Sequence, residues 1–455
     1  MSASPEAAVI ATEDVAPPEA LYRKLSPGPG RPAREVALHQ RARIHGAMVE
    51  IVGERGYDTI TVRELARLAG VSTRAFYEQF ESKEECFLRT YELVVQRAAG
   101  RVAASQQGAH SWEEKLQLAF GAFAHEVVEK PNVARLALVA VFEAGPAAIE
   151  RLRQAETMFE TMIGESFDRA PDRIAVSPLI VRGIVSGVER VTRTHLLAGR
   201  EGELPGLGDE MMEWALSYRC ESAEGLPTPD RRFTPDPDES RAETGTENGN
   251  GQVHGDERAL ILAAVAKLAA ADGYLELTVP RIRAAAGVPR RSFDANFEGV
   301  RDCFLAALEL RLGAALSQAA RGFSEGDTWP GGIHRALTTF CAHMARDEVL
   351  AKLAQVEASA PGPDGLRCGE RLIANLTESF RASTPDAQRP SELCGEAAVG
   401  AVWGAVYQHV VAGRARRLPQ IAPALSFLAL APTLGATEAV AAIRDEQQAL
   451  ARTSL

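Results

Sequence analysis

The stretch Thr61-Val-Arg-Glu-Leu-Ala-Arg-Leu-Ala-Gly-Val-Ser-Thr-Arg-Ala-Phe-Tyr-Glu-Gln-Phe-Glu-Ser-Lys83-Glu-Glu85 decides how the rest of the chain is read. Thr61 opens a helix: its hydroxyl is placed to cap the backbone while Glu64, three positions on, reaches back in a capping box. Val62, Leu65 and Ala69 then share one face. Gly70 supplies a tight turn that other residues enter only at a cost. Ser72 caps a short second helix from Thr73 to Gln79, with Phe76 and Phe80 turned inward and Thr73, Arg74, Tyr77 and Glu78 turned out. Ser82 and Glu85 form another capping box and open a third helix. Upstream, Ile44, Met48, Ile51 and Val52 recur at threes and fours in a helix over about 36–55 that stops at Gly56. This is helix-turn-helix spacing.

The stretch occurs twice. An offset of 217 carries Gly56-Tyr57 onto Gly273-Tyr274, Thr61-Val62 onto Thr278-Val279, Ala69-Gly70-Val71 onto Ala286-Gly287-Val288 and Cys86-Phe87-Leu88 onto Cys303-Phe304-Leu305. From Gly56 to Leu88, 14 of 33 positions are identical, against about two to four for unrelated stretches of ordinary composition. Ala198-Gly199-Arg200 with Leu204-Pro205 recurs as Ala412-Gly413-Arg414 with Leu418-Pro419 at offset 214, so the likeness extends beyond the motif. The chain reads as a tandem duplication.

Elsewhere the sequence is rich in Ala and Leu at helical spacing, without period-two strands, and the fold class is all-α. Residues 221–257 are rich in Pro, Glu, Asp, Gly, Thr and Ser, the composition of a solvated linker, and residues 1–30 look alike. The expected domains are an N-terminal arm at 1–30, a first head at 31–90, a helical body at 91–220, the linker at 221–257, a second head at 258–308 and a second body at 309–455.

A chain of 455 residues with 46% hydrophobic and 24% charged residues has ordinary globular composition, which excludes a fibrous or wholly disordered protein. The net charge of −11 excludes a surface that grips nucleic acid throughout, so any basic site is local. Such a site exists: Leu21 to Lys83 holds eleven Lys and Arg against seven Asp and Glu, a balance of +4. Six cysteines without a C-x-x-C pair, and acidic residues where a signal peptide carries positive charge, point to the reducing cytoplasm. Pro419, Pro423 and Pro432 are expected to break the longest uncharged run, Leu418 to Thr437, leaving no membrane span.

The 61–85 stretch closely resembles the DNA-binding domain of the TetR family of bacterial transcriptional regulators. The resemblance covers about 50 residues per copy. It implies a double-stranded DNA operator, a helical body that dimerises and binds a small-molecule inducer, and repression more readily than activation. The short helix would enter the major groove, with Arg74 donating to guanine and the Thr73 methyl touching thymine. Tyr77 and Lys83 match the family's phosphate-contacting positions, and Thr61 and Ser72 stand at the caps around them.

The second head lacks those handles. Asp294 stands for Tyr77, Val300 for Lys83, Arg281 for Glu64, Pro289 for Ser72 and Gly299 for Ser82, while its core (Ile282, Ala286, Val288, Phe293, Phe297) is kept. Asp256 to Leu305 carries seven basic and seven acidic residues. Arg290 and Arg291 remain on its recognition helix, so two readings stand: altered DNA contact, or a retired structural domain.

Weaker signals carry less. Gly30-Arg31-Pro32 is either a minor-groove arm or a solvated basic tail. His125-Glu126-Val-Val-Glu129 has one imidazole where zincins have two, and neither a G-x-S-x-G elbow nor a P-loop occurs, so no catalytic residue, metal ligand or cofactor is expected. By resemblance an inducer would lie among Phe123, His125, Phe142, Met158 and Met162 of the first body and Met344, Trp403 and Tyr407 of the second, with Glu143, His125 or His409 as polar handles. The alternative from another class is a ligand- or partner-binding helical protein that has lost DNA binding.

The family's dimer pairs the last two body helices. Here these are expected at about 178–199 with 208–220, and at about 392–413 with 421–430. A linker of 37 residues reaches roughly 33 Å as a flexible chain, enough to join two bodies. An intramolecular pseudo-dimer is therefore expected, with a homodimer left open.

Overall fold

The computed structural model describes residues 33–168, 177–219, 257–353 and 363–453, and among these there are helices and no strands. The 1–30 arm, Gly30-Arg31-Pro32 and all of the 221–257 linker except Glu257 lie outside the described residues. Two compact units divide the chain: Met1–Arg101 with Glu126–Arg153, and Val102–His125 with Gln154–Leu455.

In the first unit α1 (Ala33–Arg55), α2 (Val62–Ala69), α3 (Thr73–Tyr77) and α4 (Lys83–Ser105) form the first head. Ile44, Met48, Leu65, Phe76 and Phe87 are buried together at its core. Joined to it is α6 (Pro131–Leu138), which packs on α1. The approach is close because Gly53 lies against Asn132: a Cβ at Gly53 would stand 2.6 Å from that of Asn132. Asn132 Nδ2 also donates to Glu50 at 2.8 Å.

α5 (Trp112–Glu129) and α7 (Pro146–Asp168) run across the boundary of the two units. The second unit continues with α8 (Pro178–Ala198) and α9 (Gly208–Leu216). The remaining helices are α10 (Glu257–Asp272), α11 (Val279–Ala286), α12 (Arg290–Asn296), α13 (Val300–Ser324), α14 (Trp329–Arg346), α15 (Glu348–Lys352), α16 (Pro363–Ser383), α17 (Glu392–Val411), α18 (Leu418–Leu434) and α19 (Ala436–Thr453). By length and composition α13 would suffice to cross a membrane, yet Cys303, Phe304, Ala307, Leu308 and Leu312 on it are buried where it packs on α10 and α14.

The centre of this unit is the packing of α8 along α17. Ser177 and Ser391 cap the two helices, accepting from the amides of Ile180 and Cys394. The helices approach through glycine. A Cβ on Gly183 would stand 3.4 Å from that of Ala401, one on Gly187 would stand 2.7 Å from the Ala397 carbonyl oxygen, and one on Gly400 would stand 2.6 Å from the Cβ of Arg190.

One expectation is corrected here. The prolines of the uncharged run do not break it: α18 continues through both Pro423 and Pro432. Pro419 sits in the first turn, where an amide hydrogen has no helical acceptor. Pro432 withholds a hydrogen from the carbonyl of Leu428, four residues back. The Tyr218 hydroxyl donates to that carbonyl instead, at 3.0 Å, so the buried oxygen stays satisfied.

Two glycines test this packing. Gly187→Ala should destabilise the protein by about 1–3 kcal/mol, because its methyl overpacks a closed interface. Gly100→Ala, within α4 and with nothing within 4 Å, should instead stabilise by about 0.5–1 kcal/mol. Denaturant unfolding of the two variants reads both signs.

Candidate DNA-binding site

Three boundaries in twenty-five residues aim the recognition helix, and each is held by cap chemistry. Thr61 Oγ1 accepts from the Glu64 amide at 3.3 Å while the Thr61 amide donates to Glu64 Oε2 at 2.9 Å, the reciprocal box anticipated from sequence. Arg55 adds a salt bridge to the same carboxylate at 3.1 Å. The Thr61 amide and hydroxyl and the Arg55 guanidinium hold Glu64 below the usual carboxylate range. Gly70 ends α2 at φ 64°, ψ 36°, its amide donating to the carbonyls of Ala66 and Arg67. Ser72 Oγ accepts from the Ala75 amide at 3.0 Å and starts α3. At the third boundary the structure differs from the expected box: Ser82 Oγ accepts from the Glu85 amide at 3.0 Å, but the Glu85 carboxylate takes the amide of Glu81, not that of Ser82, at 2.6 Å. α3 also ends at Tyr77, two residues short of the expected Gln79.

A five-residue helix has too few internal bonds to persist alone. Phe76 and Phe80 are its anchors, both buried, with ring centroids 5.6 Å apart. His45 of α1 meets the Phe80 ring edge to face at 5.3 Å. The Thr90 hydroxyl donates to the Cys86 carbonyl at 2.7 Å, so the contact of His45 Nδ1 with Thr90 Oγ1, also 2.7 Å, is a donation from the imidazole. Burial, with Arg41 and Arg97 nearby, lowers this histidine to about 4 and keeps it neutral in that role. Arg41 closes the far end, donating to the Gln79 carbonyl at 3.3 Å and lying over the Phe80 ring. Sequence reasoning did not single out His45 or Arg41; their signal is only that both lie on α1 a turn apart.

On the opposite side the predicted contact residues are open. Thr73 is exposed, Tyr77 is 57% exposed, and the Arg74 side chain is 89% exposed. Arg74 Nε rests on Glu78 Oε1 at 3.0 Å. Such an exposed i,i+4 pair is worth about 0.3–0.5 kcal/mol, less than the roughly 1–3 kcal/mol of a bidentate arginine–guanine contact, so the pair does not hold Arg74 back from a base. Lys83 is placed differently. Its ammonium donates to the carbonyls of Tyr57 at 3.1 Å and Ile60 at 3.2 Å and stands 3.9 Å from the centre of the Tyr57 ring. Burial lowers its pKa, and Asp58 opposes the shift. It pins the α1–α2 turn beside the N-terminus of α4.

The second head repeats the elements with weaker closures. Thr278 caps α11 by accepting from the Arg281 amide, and Gly287 ends it at φ 68°. Arg281 turns back to Asp272 at 2.6 Å and the Glu276 carbonyl at 2.8 Å, so no carboxylate completes the box. Pro289 and Gly299 give no side-chain cap. Arg290 pairs with Asp294 at 3.1 Å on the exposed face, and Arg291 is exposed beside it.

The residues expected around a ligand fall in both units. Phe142 belongs to the first unit, and Phe123, His125, Met158, Met162, Met344, Trp403 and Tyr407 to the second. Met344 is wholly buried, and Trp403 and Tyr407 lie one turn apart on α17. Glu143 is engaged with the head: its carboxylate accepts from the Tyr57 amide at 2.7 Å, beneath Gly56. Glu126 is held by Arg101 and, at 2.8 Å, by Lys130.

Residues 45–90 match the family model described as bacterial regulatory proteins, tetR family. Solved structures similar to the chain include the fatty acid degradation regulator FadR from Bacillus halodurans (16% identity, 38% of this chain and 96% of the other, TM-score 0.36). FadR from Bacillus subtilis, solved in complex with stearoyl-CoA, gives 17% identity over 38% of this chain and 96% of the other, with TM-score 0.36. A TetR-like transcriptional regulator from Rhodococcus sp. RHA1 gives 18% identity over 41% and 99%, with TM-score 0.35. No curated protein matches the chain. The family match falls on the residues whose caps and aromatic anchors build the helix-turn-helix, and in this head the chain is similar to the bacterial regulatory proteins of the tetR family.

Proposed function

We propose that the protein is a tandem repressor of the cytoplasm, one chain holding two TetR-like units, that reads its operator mainly through the first head and releases it on binding a small apolar or amphipathic molecule. The observation that carries this reading is the open face of Thr73, Arg74 and Tyr77 on a caged short helix, within a stretch of balance +4 in a chain of charge −11. Tyr77 meets a phosphate directly. Lys83 acts on the backbone of DNA through the turn and helix end it pins, as well as by its charge. The second head keeps Arg290 and Arg291 without either phosphate handle and contributes the weaker half of the contact.

The bodies hold the ligand among aromatic and methionine side chains, and ligand-dependent movement reaches the first head through residues packed on it. Glu143 on the Tyr57 amide and Asn132 against Gly53 are such points, both inside the first unit. A ligand acts by binding one body conformation better than another. Packing of α8 on α17 inside one chain takes the place of the family's pairing between two chains.

Arg74→Ala should cost about 1–3 kcal/mol of operator affinity and relax discrimination at one base pair, whereas Lys83→Ala should weaken binding evenly across sequences. Fluorescence anisotropy over a salt series reads both, and equal loss from Arg291→Ala would sink the asymmetry. Light scattering at micromolar concentration should give a 48.8 kDa species; an obligate species of twice that mass on a symmetric site would refute the pseudo-dimer. For release, a molecule found by thermal-shift screening should lower operator affinity, and ligands that bind without doing so overturn that part.

A further inference from the structure

The interface of α8 with α17 obeys an exchange of partners in its apolar part and breaks it in its polar part. Adding 214 to a residue of α8 gives its counterpart on α17: His195 and His409 correspond, as do Gly199 and Gly413 just beyond. Gly183 faces Ala401 while Gly187 faces Ala397, and Gly400 faces Arg190 while Gly404 faces Ser186. Each contact becomes the other when both residues are exchanged for their counterparts. Such reciprocity is what an isologous two-fold interface requires.

The counterparts of Arg190, Arg193 and Thr194 are Gly404, Tyr407 and Gln408. On one side Arg190, whose side chain is only 4% exposed, binds Glu370 and, at 3.2 Å, Glu396. Arg193 also binds Glu370 at 3.2 Å, and the Thr194 hydroxyl donates to Glu396. On the other side the first body presents Glu156, buried, to the Gln408 amide and the Tyr407 phenol. Among the described residues no cation of the second body forms an ion pair with Glu156. Glu160 is taken by Arg182 of its own copy at 2.9 Å. Burial and the charges of Glu189 and Glu160 push Glu156 well above the usual carboxylate range, with Arg193 and Arg182 opposing; burial pushes Glu189 up to about 7. One half of the interface is ionic and the other is a pair of carboxyl groups resisting ionisation.

We infer that this imbalance is a partner code: the first body is built to prefer the second body of the same chain over a like body. The inference rests on the tandem reading and deepens it. Two second bodies would set Glu370 and Glu396 against Gly404, Tyr407 and Gln408 on both sides, burying carboxylates without a cation, which is strongly unfavourable. Two first bodies would give Arg190 and Arg193 one carboxylate, Glu156, the counterpart of Glu370, and would set Arg190 against Arg182, the counterpart of Glu396, on both sides. The mixed pair alone gives Arg190 two carboxylates and no facing arginine, so specificity comes from what the wrong pairs lack as much as from what the right pair gains. Each chain therefore closes on itself and offers DNA one competent head.

The test reverses the charges in the full-length chain. Arg190→Glu with Arg193→Glu makes one variant, and Glu370→Arg with Glu396→Arg makes the other; each should lower the thermal unfolding midpoint and lose the compact 48.8 kDa monomer. A chain carrying all four reversals should recover both. Mixed in equal amounts, the two twofold variants should form a species of twice the monomer mass that neither forms alone. Wild-type midpoint and mass in both twofold variants, homodimers of either one, or a fourfold variant no more stable than the twofold ones would overturn the code. A wild-type chain that is itself an obligate dimer would instead sink the pseudo-dimer and leave the charge preference to be read from the same variants.

Discussion

The first head depends on keeping a helix too short to stand alone in one orientation. α3 has five residues, and its own hydrogen bonds do not repay the ordering of its backbone. Two aromatic rings driven into the core supply the missing stability, and their burial is possible because Gly70 turns the chain sharply enough to bring Phe76 and Phe80 back onto α1 and α2. The caps then fix the rotation of the helix about its own axis, and that rotation decides whether Thr73, Arg74 and Tyr77 face out. Readout of base edges demands such rigidity, since a bidentate hydrogen bond fails when its donor wanders by an ångström or two.

The same constraint shows what the second head has given up. Phe293 and Phe297 keep their anchors, at 5.7 Å between centroids, so the fold of the short helix survives. Pro289 and Gly299 remove the side-chain caps, and Arg281 spends its guanidinium on Asp272 and a carbonyl where Glu64 had closed a box. Burial was retained while aim was relaxed. Lys83 draws the contrast most sharply: in the first head one ammonium holds two carbonyls of the α1–α2 turn, and its counterpart Val300 can hold none.

Much of the first head was legible because its determinants are local. A cap and its target lie three residues apart, a buried face repeats every three or four, and a left-handed turn asks for glycine, so Thr61, Gly70, Ser72, Phe76 and Phe80 announce themselves. What sequence reading missed lies across long separations. Nothing near Pro432 says that it is tolerated in a helix; the answer is Tyr218, more than two hundred residues earlier, donating to the carbonyl that the proline leaves bare. Nothing near Glu143 says that its carboxylate holds the Tyr57 amide. The second acidic residue of the Ser82 box shifted by one amide because two donors stand within its reach and only geometry chooses between them.

The proposed duplication within one chain would explain why the body interface tolerates such imbalance. In an interface between identical copies every substitution is made twice, so an arginine gained on one side is gained on the other, and a lone glycine facing a bulky residue must be matched by its image. Once both halves are tethered, each can change alone. Arg190 and Gly404 are counterparts that have diverged to a long cationic side chain and none at all, and each fits what the other body presents: two carboxylates for the arginine, Ser186 against the glycine. In the proposed pseudo-dimer, pairing would not compete with other chains at cellular dilution, only with the modest entropy of closing a loop. Glu156 and Glu189, pushed upward by burial with Arg193 opposing, can then persist on the far side, since the strongly paired side and the glycine-mediated helix contact hold the bodies together regardless.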